Sequence, residues 1–179
     1  MAQTATLRRY EITLSDSDRG VYETLEWRAA QHPSETDRYL AARLIARCLE
    51  HAEGVEFTKG LDADDEPAIW QKNLRGELMA WIEVGSPSTE RLHRASKTVG
   101  RLVIYAFKQP KKILEDAVAF KAHKVTEWKV IELDPAFLDR IAERTDKVNR
   151  WDLAISGGAL YLTIGKDLLE TSPTLHSVS

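Results

Sequence analysis

"GELMAWIEVGSPSTERLHRASKTVGRLVIYAF", Gly76–Phe107, decides the fold. Its first run, ending at Val84 and Gly85, has the length and apolar content of a strand. "SPSTERLHRASKTVG" then offers Ser86 or Ser88 as a helix cap, Pro87 in the first turn and Gly100 as a stop. "RLVIYAF" is β-branched and apolar, the pattern of a buried strand. A strand, a helix and a strand in that order predict a parallel pair joined by a right-handed crossover.

Upstream, "VEFTKGL" and "PAIWQKN" are two further extended runs. Before them "HPSETDRYLAARLIARCLEHAEG" has helical spacing, with Ser34 as its cap and Gly54 as its stop. The alternating runs "TLRRYEITLSD" and "VYETLEWRA" flank the turn-like "SDSDRG" and predict an N-terminal hairpin. Downstream come a helix "KKILEDAVAFKAH", a strand "TEWKVIELD", a helix "PAFLDRIAERTDK" begun by Pro135, and a hairpin "WDLAISGGALYLTI" turning at Gly157 and Gly158. The sum is an α/β fold, a mixed sheet with helices packed on it. One domain is expected over residues 1–170, with 171–179 as a mobile tail.

With 43% apolar and 30% charged residues the chain reads as soluble, and no apolar run is long enough for a membrane span. The N-terminus lacks the apolar stretch of a signal peptide, and the lone Cys48 allows no internal disulfide, so a cytoplasmic location is expected. A net charge of −3 and a pI near 6.0 argue against a broad grip on nucleic acid. The local basic stretches "RLHRASKTVGRL" and "KQPKK" read as solvated helix faces that leave a nucleic-acid patch open.

The acids around the first run carry the functional question. Side chains alternate along a strand, so Glu77, Met79, Trp81 and Glu83 share one face and Leu78, Ala80, Ile82 and Val84 the other, which is core. Asn73 to Gly76 suits a type I turn, and a hairpin closed by it would put Trp70 opposite Met79 and Glu66 opposite Glu83. A bulge at Gly76 would instead put Pro67 opposite Glu83 and bring Asp65 nearer. Two bare carboxylates about 5 Å apart repel by roughly 3 kcal/mol at an effective dielectric of 20. A divalent cation such as Mg²⁺ or Mn²⁺ is the commonest functional reason to assemble them, although both acids could equally lie at strand ends in water.

Other residues carry less. His32, His51, His93, His123 and His176 lack zinc-ligand spacing, and His32 beside a helix start reads as a local hydrogen-bonding residue. Capping explains Ser34 without a nucleophile. "TKG" and "SGG" lack the spacing of a phosphate loop, and Trp70 and Trp81 read as core rather than as base-stacking platforms.

"HPSET", "EFTKGL", "DDEPAIWQK", "GELMAWIEVGSP", "RLHRASK" and "VIYAF" occur in the order and spacing of the bacterial YaeQ family, and the chain resembles that family over nearly its whole length. The resemblance implies a compact variant of the PD-(D/E)XK restriction-endonuclease-like fold. It also implies a site in which Glu35 is the helical acid, Glu66 or Asp65 the first strand acid, and Glu83 the acid of the second motif. Together they would hold Mg²⁺ or Mn²⁺ for phosphodiester hydrolysis. Gly85 stands where the signature has lysine, so Lys97, Arg94 or Lys59 would have to supply the cation on the phosphate. Gly85 also leaves open a different class, a non-catalytic module that keeps the fold and binds nucleic acid or protein.

Overall fold

The computed structural model describes residues 4–59 and 65–179. Gly60 and Leu61 of "VEFTKGL", the glycine of "TKG" and Asp64 of "DDEPAIWQK" lie outside the described residues. The architecture is mixed α/β, with two mixed sheets in place of the single one expected. The chain divides into two compact units, one reaching to Ala41 and resuming at Asp134–Pro173, the other made of Ala42–Leu133 and Thr174–Ser179.

In the first unit, β1 (Thr6–Asp16) and β2 (Val21–Gln31) form the N-terminal hairpin, in register from Thr6 opposite Gln31 to Asp16 opposite Val21. Helix α1 (Asp37–Leu49) begins here. Its cap is Thr36 and not Ser34: Thr36 Oγ1 accepts from Tyr39 N at 3.1 Å, and the Thr36 carbonyl accepts from Leu40 N at 3.0 Å. The Ser34 hydroxyl is instead 2.6 Å from His32 Nδ1, which also accepts from Ser34 N, so His32 closes the local turn.

The second unit opens with three short strands, β3 (Val55–Phe57), β4 (Ile69–Lys72) and β5 (Leu78–Val84). Helix α2 (Thr89–Ser96) follows, capped by Ser88, whose hydroxyl accepts from Arg91 N. Next come β6 (Arg101–Ala106), α3 (Pro110–Phe120) and β7 (Lys129–Glu132). Strand β6 is parallel to both β5 and β7, which bears out the crossover read from the sequence. Trp81, Leu92, Ile104, Leu114, Trp128 and Val130 belong to one buried cluster on the α2 and α3 side of this sheet. On the opposite face Tyr105 points its hydroxyl at Glu50, just past α1, with an oxygen–oxygen distance of 2.6 Å.

The first unit then resumes with α4 (Pro135–Ala142), capped by Asp134, followed by β8 (Val148–Ser156), β9 (Ala159–Ile164) and β10 (Asp167–Thr171). Its sheet runs β10-β9-β8-β1-β2, with β8 parallel to β1. Gly157 and Gly158 take φ values of 60° and 78°, the two positive angles that a tight hairpin turn with the right twist requires. The closing strand β11 (Thr174–His176) pairs antiparallel with β7 in the second unit's sheet, within the stretch read from sequence as a tail. Among the described residues no helix is long and apolar enough to cross a membrane.

The β4–β5 hairpin departs from the register expected. The Asn73–Gly76 turn forms, with Gly76 N donating to the Asn73 carbonyl at 2.9 Å. Lys72 then pairs with Leu78, and the register shifts again between Gln71 and Lys72, leaving Met79 without a cross-strand partner and 47% exposed. Trp70 therefore faces Trp81 rather than Met79, and Ile69 faces Ile82. Glu66 precedes β4 and is not the register partner of Glu83. The physical reason is two one-residue shifts: the turn closes with Asn73 N donating to the Glu77 carbonyl, which already sets Lys72 opposite Leu78 as the Gly76 alternative expects, and the extra residue Met79 on β5 displaces every pairing beyond it by one more.

Candidate functional site

Glu83 lies near the end of β5 and is only 5% exposed. Its neighbour on the same strand face is Trp81, two residues back, whose Nε1 donates to Glu83 Oε1 at 2.8 Å. The same oxygen accepts from Arg91 Nε at 2.6 Å. The guanidinium also lies 5.8 Å from the centre of the Trp81 ring and donates through Nη2 to the main-chain carbonyl of Glu66. One arginine from the first turn of α2 thus ties the end of β5 to the segment leading into β4. Burial pushes the Glu83 carboxyl above its ordinary value of 4.5, and the bonds from Trp81 and Arg91 oppose this without cancelling it.

The structure gathers some of the residues singled out from the sequence. Glu66 is half-buried, and its Oε2 accepts from Lys59 N at 3.3 Å, while Asp65 beside it is exposed. Glu35 is buried in the first unit, where its carbonyl accepts from Gln31 Nε2. The side chains of Lys59, Arg94 and Lys97 are exposed. A divalent ion on Glu83 Oε1 would have to displace Arg91, whose Nε already holds that oxygen. Among the described residues no group of three or more His, Cys, Asp or Glu side chains is arranged to hold a metal ion.

Gly85 has a φ of 97°, within the region that residues with a Cβ rarely adopt, and its N–H donates to the Tyr105 carbonyl at 2.8 Å. A lysine at this position would strain the backbone, which gives a physical reason for its absence.

The sequence profile of the family described as YaeQ protein matches residues 1–173. The chain belongs to the YaeQ family. It is 29% identical to the Uncharacterized protein YaeQ of Salmonella typhi and 28% identical to that of Escherichia coli, in each case over 97% of both chains. The crystal structure of YaeQ protein from Pseudomonas syringae superposes with a TM-score of 0.90 at 31% identity, covering 99% of each chain. That from Xanthomonas axonopodis pv. citri gives 0.88 at 30%, covering 98% of this chain and 100% of the other.

Arg91 is the residue that sequence reasoning missed, although a signal was present. Leu92, Ala95 and Ser96 form the buried face of α2. On a helix with 100° per residue Arg91 borders that stripe, whereas Arg94 and Lys97 fall on the far side. The cation nearest the core could have been chosen from helical spacing alone.

Proposed function

We propose that this chain is a non-catalytic, protein-binding member of the YaeQ family, on a variant of the PD-(D/E)XK nuclease fold whose acidic site has become an internal brace. The observation that carries this reading is the Glu83–Arg91 pair: the candidate ligand oxygen takes an indole N–H and a guanidinium N–H from its own chain. The φ of Gly85 supports it, since the backbone there disfavours a lysine. The pI near 6.0 and net charge of −3 favour a protein over a polyanion as partner. The single cysteine, free and buried, suits a reducing cytoplasm.

A second reading is Mg²⁺- or Mn²⁺-dependent phosphodiester hydrolysis, with Glu66 and Glu83 as ligands, Asp65 or Glu35 in support, and Lys97, Arg94 or Lys59 on the phosphate. One observation favours it: Arg91 bonds both the Glu83 carboxylate and the main-chain carbonyl of Glu66, so a cation already sits between the Glu83 carboxylate and the Glu66 backbone.

Thermal unfolding of the wild type and Glu83→Gln across a Mg²⁺ and Mn²⁺ titration, followed by incubation with labelled DNA and RNA, separates the two. The expected result is no metal-dependent rise in melting temperature and no cleavage. A metal bound about 100-fold above its Kd would add about 2.7 kcal/mol and raise the melting temperature by several degrees. Such a rise, with cleavage, and both lost in Glu83→Gln, would establish the hydrolase instead.

A further inference from the structure

The first unit's sheet buries one face and leaves the other open. Tyr10, Ile12 and Leu14 of β1 point inward, while Leu7, Arg9, Glu11 and Thr13 between them are exposed. Exposed apolar side chains flank the charged ones on this open face, among them Tyr22 at 63%, Val148 at 57% and Leu168 at 51%.

Across β1 and β2 its charges lie in rows of one sign, and on β8 Arg150 stands beside Glu11. Arg9 is the register partner of Arg28, and Glu11 that of Glu26, two residues further along β1. Directly opposed side chains start about 5 Å apart, so each row sets like charges side by side, an arrangement unfavourable in isolation. Diagonal contacts between the rows would offset this, yet Arg9, Glu26 and Arg28 form no ion pair among the described residues. Among the described residues Glu11 pairs only with Arg150 of β8, at 3.7 Å, with both side chains at least half exposed. A depression of about 460 Å³ lies over this patch, lined in part by Arg9, Glu11, Glu26, Arg28, Val148 and Arg150.

A row of two cations beside a row of two anions is complementary to itself. Turned over about an axis running across the strands between the rows, a second sheet brings its Glu11 and Glu26 above the first copy's Arg9 and Arg28, and its arginines above the first copy's glutamates. Strands stack on strands, as two sheet faces do about 10 Å apart. We infer that this open face is a self-complementary contact surface whose occupant is a second copy of the chain, joined through a two-fold axis. The inference does not depend on whether the Glu83 region is catalytic.

The size of the face sets the strength of the contact. Five strands about 4.8 Å apart, 42 residues in all and rising about 3.3 Å per residue, give a flat footprint of about 670 Å², smaller than the roughly 800 Å² per partner of a standard stable interface. The association is therefore reversible, and because its charges start in water it is sensitive to salt.

Sedimentation of the full chain over a concentration series tests this. In roughly 0.05 M salt the mass should climb from the 20.3 kDa monomer toward the dimer, with at least roughly tenfold weaker association in about 0.5 M salt. Glu11→Arg/Glu26→Arg makes the patch wholly basic, and Arg9→Glu/Arg28→Glu makes its β1 and β2 rows wholly acidic. Each variant alone should stay monomeric, and an equimolar mixture should associate again, which a misfolded variant would not do. A wild type that remains at 20.3 kDa at every concentration in low salt would overturn the inference. So would variants that associate like the wild type.

Discussion

In the second unit Glu83 of the sheet and Glu50 just past α1 are buried, and each meets an arginine: Arg91 at 2.6 Å, and Arg101 at 2.6 and 3.0 Å. In the first unit's sheet Glu11 and Glu26 stand on an exposed face and oppose each other across β1 and β2. The second sheet has helices α2 and α3 on one face and Glu50, at the end of α1, against the other, and its strands read as nearly continuous apolar runs. A carboxylate there loses its water and must find a cation. In the first sheet β8 and the middle of β1 alternate buried and exposed side chains, and water screens the outward charges. Two acids near each other in sequence therefore say little about metal until the cover over each face is known.

The comparison breaks most visibly at Arg91. Arg91→Met leaves Glu83 buried beside Trp81 without its cation, and because Arg91 keeps 23% of its side chain in water the loss should be near the low end for a buried pair, about 3 kcal/mol. Its pH dependence has a definite sign. Burial already holds the Glu83 carboxyl above its ordinary value of 4.5, and removing Arg91 raises it further. The folded state then binds the proton more tightly than the unfolded state does. The deficit should be greatest above the folded-state pKa of Glu83 and should shrink as pH falls toward 4.5. Urea denaturation at several pH values measures it. A deficit independent of pH would mean that Arg91 acts through packing alone.

How much of this was legible in the sequence follows from the same contrast. The N-terminal hairpin, the parallel β5–β6 pair and the Gly157–Gly158 turn depend on local period and turn chemistry, and they appear as read. The face shared by Trp81 and Glu83 followed from strand alternation, and an indole N–H now meets that carboxylate. The register of β4 against β5 was not legible, because it turns on a bulge at Met79 that no residue type announces. Nor was the division into two sheets, since spacing gives the order of strands but not which of them meet. Helical spacing marks Arg91 as the cation bordering the buried stripe of α2, but that it reaches the Glu83 carboxylate needs the helix face and the strand end together, which only the fold supplies.

At Gly85 the effect should be smaller. Gly85→Lys restores the lysine of the nuclease signature but places a Cβ at a φ of 97°, at a cost of about 2 kcal/mol for left-handed strain. If Glu83 and Arg91 form a brace, the variant should lose stability and still cleave neither DNA nor RNA. Metal-dependent cleavage gained by this one substitution would restore the hydrolase reading and weaken the contrast between the sheets.

The smallest effects come from neutralising one acid in each sheet. Glu83→Gln keeps the shape and both acceptor contacts while removing a charge that burial disfavours, so at pH 8 the melting temperature should equal or slightly exceed that of the wild type. Any difference should fade as pH drops toward 4.5, where the wild-type carboxyl is protonated as well. Glu11→Gln removes a charge whose partner Arg150 is 80% exposed at 3.7 Å, so its effect should lie within about 0.5 kcal/mol, or about 1–2 °C. Scanning calorimetry of both variants between pH 4 and pH 8 makes the comparison directly. If Glu11→Gln showed the pH-dependent gain and Glu83→Gln did not, the cover over the two faces would be the reverse of that described, and the contact surface would have to be sought on the second unit.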